Sequence, residues 1–443
     1  MVSIFMILIL SIFSILQNGV ESKQCYAESN FTGQTYSWFT SYPYGRRSEM
    51  KPLEGCEFIH MWGLVRHGTR YPCSKDEAMM KISTGLRDAI ITNHRENLGE
   101  LCEKDLEELK KWKSKAVKKL KMKLTSQGVK DVAFLAENVK KYISMAENSS
   151  NRDQFFEFAS SDTNRTKHTA LIFSNVLLDT RFDTIHGNNI EVDDIFLNFE
   201  NHCFLYDKLI ERNRQVHEFK KSKYYKEMTK KVSKRLGFTE PLSSGTITSM
   251  YLICSYEKAW YPESKPAFCA AFSLDDLKVL EYNIDTLLYN KRGYGNPIAN
   301  RMGCRVVNDM MMSLLHASTS DGDEKKPKGR FLFTHSETIV PTTTRLGLSK
   351  DEEPMTADNY PKLVEDRKWK TAYFDCFTGN IMAALYRCPS QEGSRDVVMF
   401  YQNEYPAVIP GCTSDPCTLE ELQKIFPPDE CNMEFCYPKN VHW

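Results

Sequence analysis

Three short hydrophobic runs have the length of buried β-strands, and a residue that can bind an anion follows each of them. The first run ends at Arg66-His67, the second leads through a polar turn to Arg165, and the third ends at His335. A stretch with a helical pattern comes next in each case. The runs cover residues 58–65, 155–160 and 330–334. This order predicts an α/β fold, with an anion-binding site where strands end and helices begin.

Other segments carry apolar residues at helical spacing. Leucine, alanine and valine recur with a helical period over residues 104–124, and a second amphipathic helix is predicted after Gly128. Residues 204–260 are basic and rich in helical patterns. We expect a large, mixed and mostly parallel sheet domain flanked by helices. A smaller helical unit, built mainly from about residues 74–150 and 204–265, is expected to be inserted after the first strand and to cover the cleft.

Charge and the amino-terminal sequence limit the partners and the location. Lys+Arg and Asp+Glu are both 58, so no global basic field points to nucleic acid. Residues 4–16 form a hydrophobic run that is too short for an ordinary membrane span. We predict a signal peptide over residues 1–22, and a secreted mature chain of residues 23–443 that is not inserted in a membrane. An uncleaved anchor is the alternative. The carboxyl end has no ER-retrieval tetrapeptide.

The cysteines agree with export. All 14 follow the predicted cleavage site, and their even number without a CxxC pair favours disulfides over zinc ligands. The spacings of Cys412 with Cys417 and of Cys431 with Cys436 suggest two small local loops, and Cys73 is expected to be bridged rather than catalytic. Further disulfide candidates are Cys254 and Cys269. Glycosylation candidates are Asn30 and Asn148.

Residues 66–72, Arg-His-Gly-Thr-Arg-Tyr-Pro, carry the strongest chemical signal. Two arginines beside one histidine are difficult to accommodate as core residues, because buried guanidinium groups need partners. The same arrangement suits a phosphoryl group. Arg66 and Arg70 can each donate to two phosphate oxygens, and Gly68 lets the backbone approach the anion. Cationic neighbours lower the pKa of His67, so its neutral ring is free to attack phosphorus.

This motif resembles the nucleophile motif Arg-His-Gly-x-Arg-x-Pro of the histidine acid phosphatases. Residues 334–338, Thr-His-Ser-Glu-Thr, resemble the family's second signature, in which an acid follows a histidine. Glu337 at the acid position is similar to the multiple inositol polyphosphate phosphatase branch, whose sequence there is His-Ala-Glu. Ser336 replaces the usual alanine. The resemblance extends roughly from Cys56 to Cys412, and it implies a phosphoglycerate-mutase-like fold and a disulfide between Cys56 and Cys388.

The resemblance also implies the roles of the site residues. His67 is the nucleophile, and Glu337 is the proton donor, because an alkoxide leaves poorly without a proton. The positive groups expected to bind phosphate are Arg66, Arg70, Arg165 and His335. No metal and no cofactor are expected. Asn164 begins a sequon beside Arg165, and we predict that it carries no glycan, since a glycan there would block the substrate.

The expected function is hydrolysis of inositol polyphosphates, with 2,3-bisphosphoglycerate as a side activity, through a phosphohistidine. The partner is then a small phosphorylated molecule. Two alternatives stay open. One is a broad-specificity acid phosphatase, secreted or lysosomal, against which Glu337 in place of aspartate argues weakly. The other is a secreted protein that binds polyanions without catalysis, against which the complete set of site residues argues.

Overall fold

The computed structural model describes residues 25–28, 36–81, 83–114, 120–147, 155–180, 190–206, 214–319, 326–391, 393–428 and 431–437. The predicted signal peptide and the glycosylation candidates Asn30 and Asn148 lie outside these residues. Within them, no helix has both the length and the apolar character that a membrane crossing needs.

One mixed sheet organises the part of the chain that carries the motifs. Its strands are β1 (Glu57–Arg66), β2 (Phe155–Ser160), β3 (Ile190–Val192), β4 (Pro327–Thr334), β5 (Asn380–Ser390), β6 (Gly393–Gln402), β7 (Tyr405–Ala407) and β8 (Cys417–Thr418). The order is β3-β2-β4-β1-β5-β6-β7, and β8 pairs with β6. The pairs β3–β2, β2–β4 and β4–β1 are parallel, whereas every pair that involves β5 to β8 is antiparallel. The predicted fold class, a mixed and mostly parallel sheet flanked by helices, is confirmed.

Helices cover both faces of the sheet and form a separate group beside it. They are α1 (Tyr42–Gly45), α2 (Ser74–Met80), α3 (Ser83–Arg95), α4 (Glu103–Lys111), α5 (Ser126–Glu147), α6 (Asn164–Leu177), α7 (Asp194–Leu197), α8 (Gln215–Lys221), α9 (Lys223–Arg235), α10 (Ser244–Trp260), α11 (Leu274–Arg292), α12 (Ala299–Met302), α13 (Cys304–Thr319), α14 (Ser336–Arg345), α15 (Tyr360–Leu363) and α16 (Leu419–Ile425).

Alternating side chains of β1 enter two different cores. Met61 and Val65 pack on one face with α5 and α6, whereas Trp62 and Leu64 pack on the other face with α13 and α14. Because both faces are covered, β1 is apolar over nearly its whole length, as expected for a central strand of a parallel sheet. A third core joins α4, α8, α9, α10 and α11. The division into a sheet domain and an inserted helical unit stays a prediction.

The predicted helix over residues 104–124 is wrong in its extent. Helix α4 ends at Lys111, and Trp112 has an extended backbone with ψ 133°. The Trp112 indole is buried, packs against Phe268 at 4.8 Å between ring centroids, and donates to Glu257 over 2.9 Å. Burying this ring turns the chain out of the helix. Leu124 instead forms an isolated β-bridge with Arg70, in the loop that follows β1.

Two predictions about cysteines are also wrong. Cys431 and Cys436 do not close a local loop: they bond to Cys304 and Cys203, because the carboxyl-terminal segment packs onto the core beside α13. Cys73 is a free thiol at the amino terminus of α2. The remaining disulfides are Cys25–Cys102, Cys56–Cys388, Cys254–Cys269 and Cys412–Cys417.

Candidate active site

The ends of adjacent strands bring the predicted site residues to one edge of the sheet. Arg66 of β1 is in register with Thr334 of β4, and the N–H of His67 donates to the Thr334 carbonyl over 2.9 Å. The ring centroids of His67 and His335 are 5.4 Å apart. The N–H of Ser161 also donates to a carbonyl near the end of β4, over 3.1 Å, which brings the amino terminus of α6 to the same edge.

The His67 ring is buried, and the backbone sets its tautomer. Its Nδ1 lies 2.9 Å from the carbonyl oxygen of Gly68. Since a carbonyl can only accept, Nδ1 carries the proton, and in the neutral ring the lone pair is on Nε2. Burial, followed by the positive charges of Arg165 and Arg66, lowers the pKa of His67 well below its usual value. The ring is therefore neutral and has a nucleophilic nitrogen.

Two helices fix the loop that follows β1. A Cβ at Gly68 would lie 2.7 Å from the carbonyl oxygen of Gly128 in α5, so a side chain there would force the two segments apart. The Gly68 N–H donates to Oγ1 of Thr169 over 3.2 Å. The hydroxyl of Thr69 donates to Asp131 over 3.0 Å. Glycine at this position thus lets the backbone pass directly against α5.

Three arginine side chains present buried donors beside His67. Arg66, Arg70 and Arg165 each use a terminal nitrogen on a protein acceptor. Their Nε atoms are buried and have no hydrogen-bond partner in the part of the chain that the structure describes. Burial, followed by the charge of Arg70, lowers the pKa of Arg165 to about 10. Unpartnered buried donors on cationic groups are costly, and an anion that accepts from them would remove that cost.

The ring of His335 orients Arg165. Its Nδ1 accepts from Nη2 of Arg165 over 3.1 Å, and its Nε2 lies 2.9 Å from the hydroxyl of Ser161. Because that hydroxyl donates onward to Thr166 over 2.9 Å, it accepts from Nε2–H. Burial, followed by the charge of Arg165, lowers the pKa of His335 to about 3. Both ring nitrogens of the neutral His335 are thus used by protein groups, and its predicted contact with phosphate stays a prediction.

Glu337 lies at the start of α14 and is partly open to solvent, with 28% of its side chain exposed. Its Oε1 accepts from Nη2 of Arg292 over 2.5 Å. Burial raises the pKa of Glu337, but the charge of Arg292 outweighs burial and holds this pKa below its ordinary value. The carboxyl group is therefore ionised while it faces Arg292.

Arg292 is a site residue that the sequence analysis missed. It is the last residue of α11, and its Nε and Nη2 donate to the two carboxylate oxygens of Glu200 over 2.6 and 3.1 Å. It directly precedes the segment Gly-Tyr-Gly-x-Pro at residues 293–297. A basic residue at the carboxyl end of a helix, next to a glycine-rich turn, is the signal that could have identified it.

Asp375 is the second missed residue, and no sequence pattern marks it. Its carboxylate is fully buried between the first and the second motif. Oδ1 lies 3.9 Å from Nη1 of Arg66, and Oδ2 accepts from the hydroxyl of Ser336 over 2.5 Å. Burial raises the pKa of Asp375 to about 6, although the charge of Arg66 acts in the opposite direction. The partners of Asp375 come from distant parts of the chain, which is why local sequence does not reveal them.

A cavity of about 560 Å³ adjoins the site and shares Arg165 with it. Its cationic side chains include Lys123 and Lys167, and Leu124 and Leu171 belong to its apolar wall. Asn164 lines the same cavity and is exposed. A glycan on Asn164 would therefore stand in the cavity, which agrees with the prediction that this sequon is unused.

Potential metal ligands converge at one place among the described residues, away from this edge of the sheet. That group consists of Cys25, Cys102 and Asp105. The two cysteines are bonded to each other, and both carboxylate oxygens of Asp105 accept from backbone N–H groups at Tyr26 and Ala27. The group is explained as a structural crosslink with a capped carboxylate.

Comparison of the chain with known proteins identifies a family. The sequence profile of the histidine phosphatase superfamily (branch 2) matches residues 57–402. The multiple inositol polyphosphate phosphatase 1 of Drosophila melanogaster is 30% identical over 399 residues, which cover 87% of this chain and 83% of that protein.

Two solved structures are similar in fold. The phytase from D. castellii aligns with a TM-score of 0.68 and 16% identity, over 89% of this chain and 84% of that chain. The multiple inositol polyphosphate phosphatase of Bifidobacterium longum, in complex with inositol hexasulfate, aligns with a TM-score of 0.63 and 14% identity, over 88% of this chain and 96% of that chain.

Proposed function

Because the chain belongs to branch 2 of the histidine phosphatase superfamily, we propose that it hydrolyses phosphate monoesters of inositol polyphosphates through a phosphohistidine intermediate. One observation carries this proposal. The neutral ring of His67 lies beside Arg66, Arg70 and Arg165, whose buried Nε donors lack partners among the described residues. Such donors fit the oxygens of a phosphoryl group and stabilise the charge that develops on them during transfer.

In the first half-reaction, Nε2 of His67 attacks phosphorus with its lone pair, and the bond from phosphorus to the ester oxygen breaks. The departing alkoxide takes a proton from Glu337. In the second half-reaction, a water molecule gives a proton to Glu337 and attacks phosphorus. The bond from phosphorus to Nε2 then breaks, which returns the electron pair to His67 and releases inorganic phosphate.

The donor role requires that Glu337 is protonated when substrate is bound. In the free enzyme Arg292 opposes this, because the Arg292 charge lowers the pKa of Glu337. A bound phosphate dianion brings negative charge to the same edge of the sheet, and this charge raises the pKa of a neighbouring carboxyl group. We therefore infer that the donor is loaded with its proton by substrate binding.

The proposed substrate class rests on the named relatives and on the cavity beside Arg165. The relative in Drosophila melanogaster is a multiple inositol polyphosphate phosphatase, and so is the fold neighbour in Bifidobacterium longum. Lys123 on the cavity wall supplies positive charge for a phosphate group other than the one that reacts, whereas Lys167 on the same wall is paired with Asp162 over 2.7 Å. The proposed side activity on 2,3-bisphosphoglycerate needs the same property, a second binding place for an anion.

The proposal is tested by phosphate release from inositol hexakisphosphate and from an aryl phosphate. His67→Ala is expected to abolish both reactions. Glu337→Gln is expected to slow the inositol ester by about 10²–10⁴ and the aryl ester far less, since an aryl leaving group needs little protonation. Equal slowing of both esters would remove Glu337 from the donor role. A strong preference of the unmodified enzyme for the aryl ester would favour the acid phosphatase alternative.

The covalent intermediate has its own test. Enzyme denatured during turnover of ³²P-labelled substrate should retain label that is stable in alkali and lost in acid, as expected for phosphohistidine, and His67→Ala should retain none. Absence of such label during rapid turnover would refute the covalent route. Binding of inositol hexakisphosphate without any phosphate release would support the polyanion-binding alternative.

Export is the second part of the proposal. Six disulfides in the described residues indicate an oxidising compartment during folding. Amino-terminal sequencing of protein collected from the culture medium of expressing cells should begin at Lys23. Recovery of the chain in the cell fraction with residues 1–22 still attached would instead support an uncleaved anchor.

A further inference from the structure

A buried hydroxyl group connects two charged pairs of the site. Ser336 is 2% exposed, and its Oγ donates to Oδ2 of Asp375 over 2.5 Å while it accepts from Nη1 of Arg292 over 3.3 Å. Asp375 is the counter-charge of Arg66, and Arg292 is the counter-charge of Glu337. The hydroxyl is therefore the link between the phosphate-binding arginine and the proton donor.

Asp375 depends on Ser336 for its hydrogen bonding. Among the described residues, its carboxylate accepts one hydrogen bond, the one from Ser336, and its Oδ1 is buried without a partner. The nearest cation, Nη1 of Arg66, lies 3.9 Å from Oδ1. A hydrogen bond to the ionised form of a buried carboxylate is a main reason for that form to persist.

Ser336 also accepts a hydrogen bond from Arg292. The Nε and Nη2 of Arg292 are used by Glu200 and Glu337. Its Nη1 donates to Ser336 and, in the part of the chain that the structure describes, to no other acceptor. The two contacts with Glu200 set the plane of this guanidinium group, and the Ser336 hydroxyl is the acceptor for its remaining terminal nitrogen.

We propose that Ser336 is a positioning residue for the reaction: its hydroxyl group holds Asp375 ionised against Arg66, next to the Arg292 that contacts the proton donor Glu337. This inference rests on the proposed function, because it assigns Arg66 to phosphate binding and Glu337 to proton transfer. Ser336 does not itself contact the reacting atoms.

The charged groups around Asp375 determine how protonation of its carboxylate would affect the site. Arg66 faces it from β1, Arg292 from α11 and Glu337 from α14, and the thiol of Cys376 is adjacent in sequence. Without the Ser336 hydroxyl, the ionised form of Asp375 loses its hydrogen bond, and Asp375 takes up a proton at a higher pH. A neutral Asp375 no longer attracts Arg66, so phosphoryl transfer slows as the pH falls.

The experiment compares pH–rate profiles for the unmodified enzyme and Ser336→Ala, which restores the family's usual alanine. We expect the acid limb of kcat/KM to move upward by about half to one pH unit, and kcat at the optimum to fall about tenfold with little change in KM. Ser336→Thr keeps a hydroxyl group and should return the limb towards its original position. Thr342→Val on the same helix removes a buried hydroxyl that donates within α14, and it should leave the limb in place.

Asp375→Asn provides the decisive second variant. If Ser336 acts through Asp375, Asp375→Asn should by itself remove the acid limb of the pH–rate profile that Ser336→Ala shifts. The double variant with Ser336→Ala should then have the same profile as Asp375→Asn. An unchanged limb in Ser336→Ala, or an equal further shift in the Asp375→Asn background, would overturn the inference. Retained turnover in His67→Ala would instead overturn the proposed function, so the two failures are distinguishable.

Discussion

Arginines with buried guanidinium nitrogens are partnered in opposite ways in two parts of this protein. In the helical part, Arg367 donates through Nη2 to Asp285 over 2.7 Å and to Glu281 over 3.0 Å. Its Nε donates to the carbonyl of Trp369 over 3.1 Å, and its Nη1 to that of Val364 over 3.0 Å. Every nitrogen of this guanidinium group is satisfied by the protein itself.

In the catalytic part, Arg66, Arg70 and Arg165 each keep a buried Nε without a partner among the described residues. The acids that approach them are few: Asp375 lies 3.9 Å from Arg66, and Arg165 forms no ion pair with any residue that the structure describes. The comparison shows that burial of arginine does not by itself indicate a functional site. Several arginines that lack acceptors at one place do indicate a functional site, because an anionic ligand can supply the missing acceptors and the missing negative charge.

The largest expected difference between the two groups is in folding stability. Arg367→Met leaves Asp285 and Glu281 buried without their cation and should destabilise the protein by about 3–5 kcal/mol. Arg165→Met removes a charge that neighbouring arginines repel, and should change the unfolding free energy by less than about 1 kcal/mol. Chemical denaturation in phosphate-free buffer measures both. A loss in Arg165→Met as large as that in Arg367→Met would erase the distinction.

An intermediate effect is expected from inorganic phosphate. At about one hundred times its dissociation constant, phosphate should stabilise the unmodified protein by about 2.7 kcal/mol. Arg165→Met should lose most of this gain at the same phosphate concentration, because one of the three free donors is missing. Arg367→Met should keep the gain, although from a lower starting stability. Thermal unfolding with and without phosphate provides the measurement, and equal gains in all three proteins would contradict a phosphate site at these arginines.

The smallest expected effect is the pH dependence contributed by His335. Its pKa is about 3 in the folded protein and about 6.5 in an unfolded chain. As the pH falls below 6.5, the unfolded chain takes up a proton that the folded one refuses, so stability is lost on acidification. Between pH 6.5 and 5.5 this loss amounts to about 1 kcal/mol. In His335→Gln, the difference in unfolding free energy between the two pH values should be smaller by this amount, as measured by chemical denaturation. An unchanged difference would indicate that His335 is charged in the folded state.

Strands β1, β2 and β4 and the residues at their carboxyl ends were predictable, because both depend on local sequence, whereas β3 and β5 to β8 were not predicted. An apolar run followed by Arg66-His67 or by His335 specifies a strand and its carboxyl end without knowledge of the partners. Helix α4 was predicted too long, since helical periodicity continues beyond Trp112 while burial of that indole ends the helix. Tertiary packing overrode the local pattern there.

The remaining parts of the site depend on which distant segments meet, and sequence from one chain does not report this. Asp375 and Arg292 become site residues through contacts with Arg66 and Glu337, at separations of 309 and 45 residues. The disulfides of Cys431 and Cys436 likewise join segments that are far apart in the sequence. The resemblance of the motifs predicted a nucleophile, but it contained no information on the counter-charges of the two pairs that Ser336 connects.

The position of β1 has a consequence for synthesis of the chain. This strand lies between β4 and β5, which are synthesised more than 260 residues later. The disulfide partner of Cys56 follows it by 332 residues. This largely apolar strand therefore emerges from the ribosome long before either neighbour exists. Chains that end before residue 327 have no acceptor for it, so a premature stop should yield aggregates or chaperone complexes rather than a smaller folded protein.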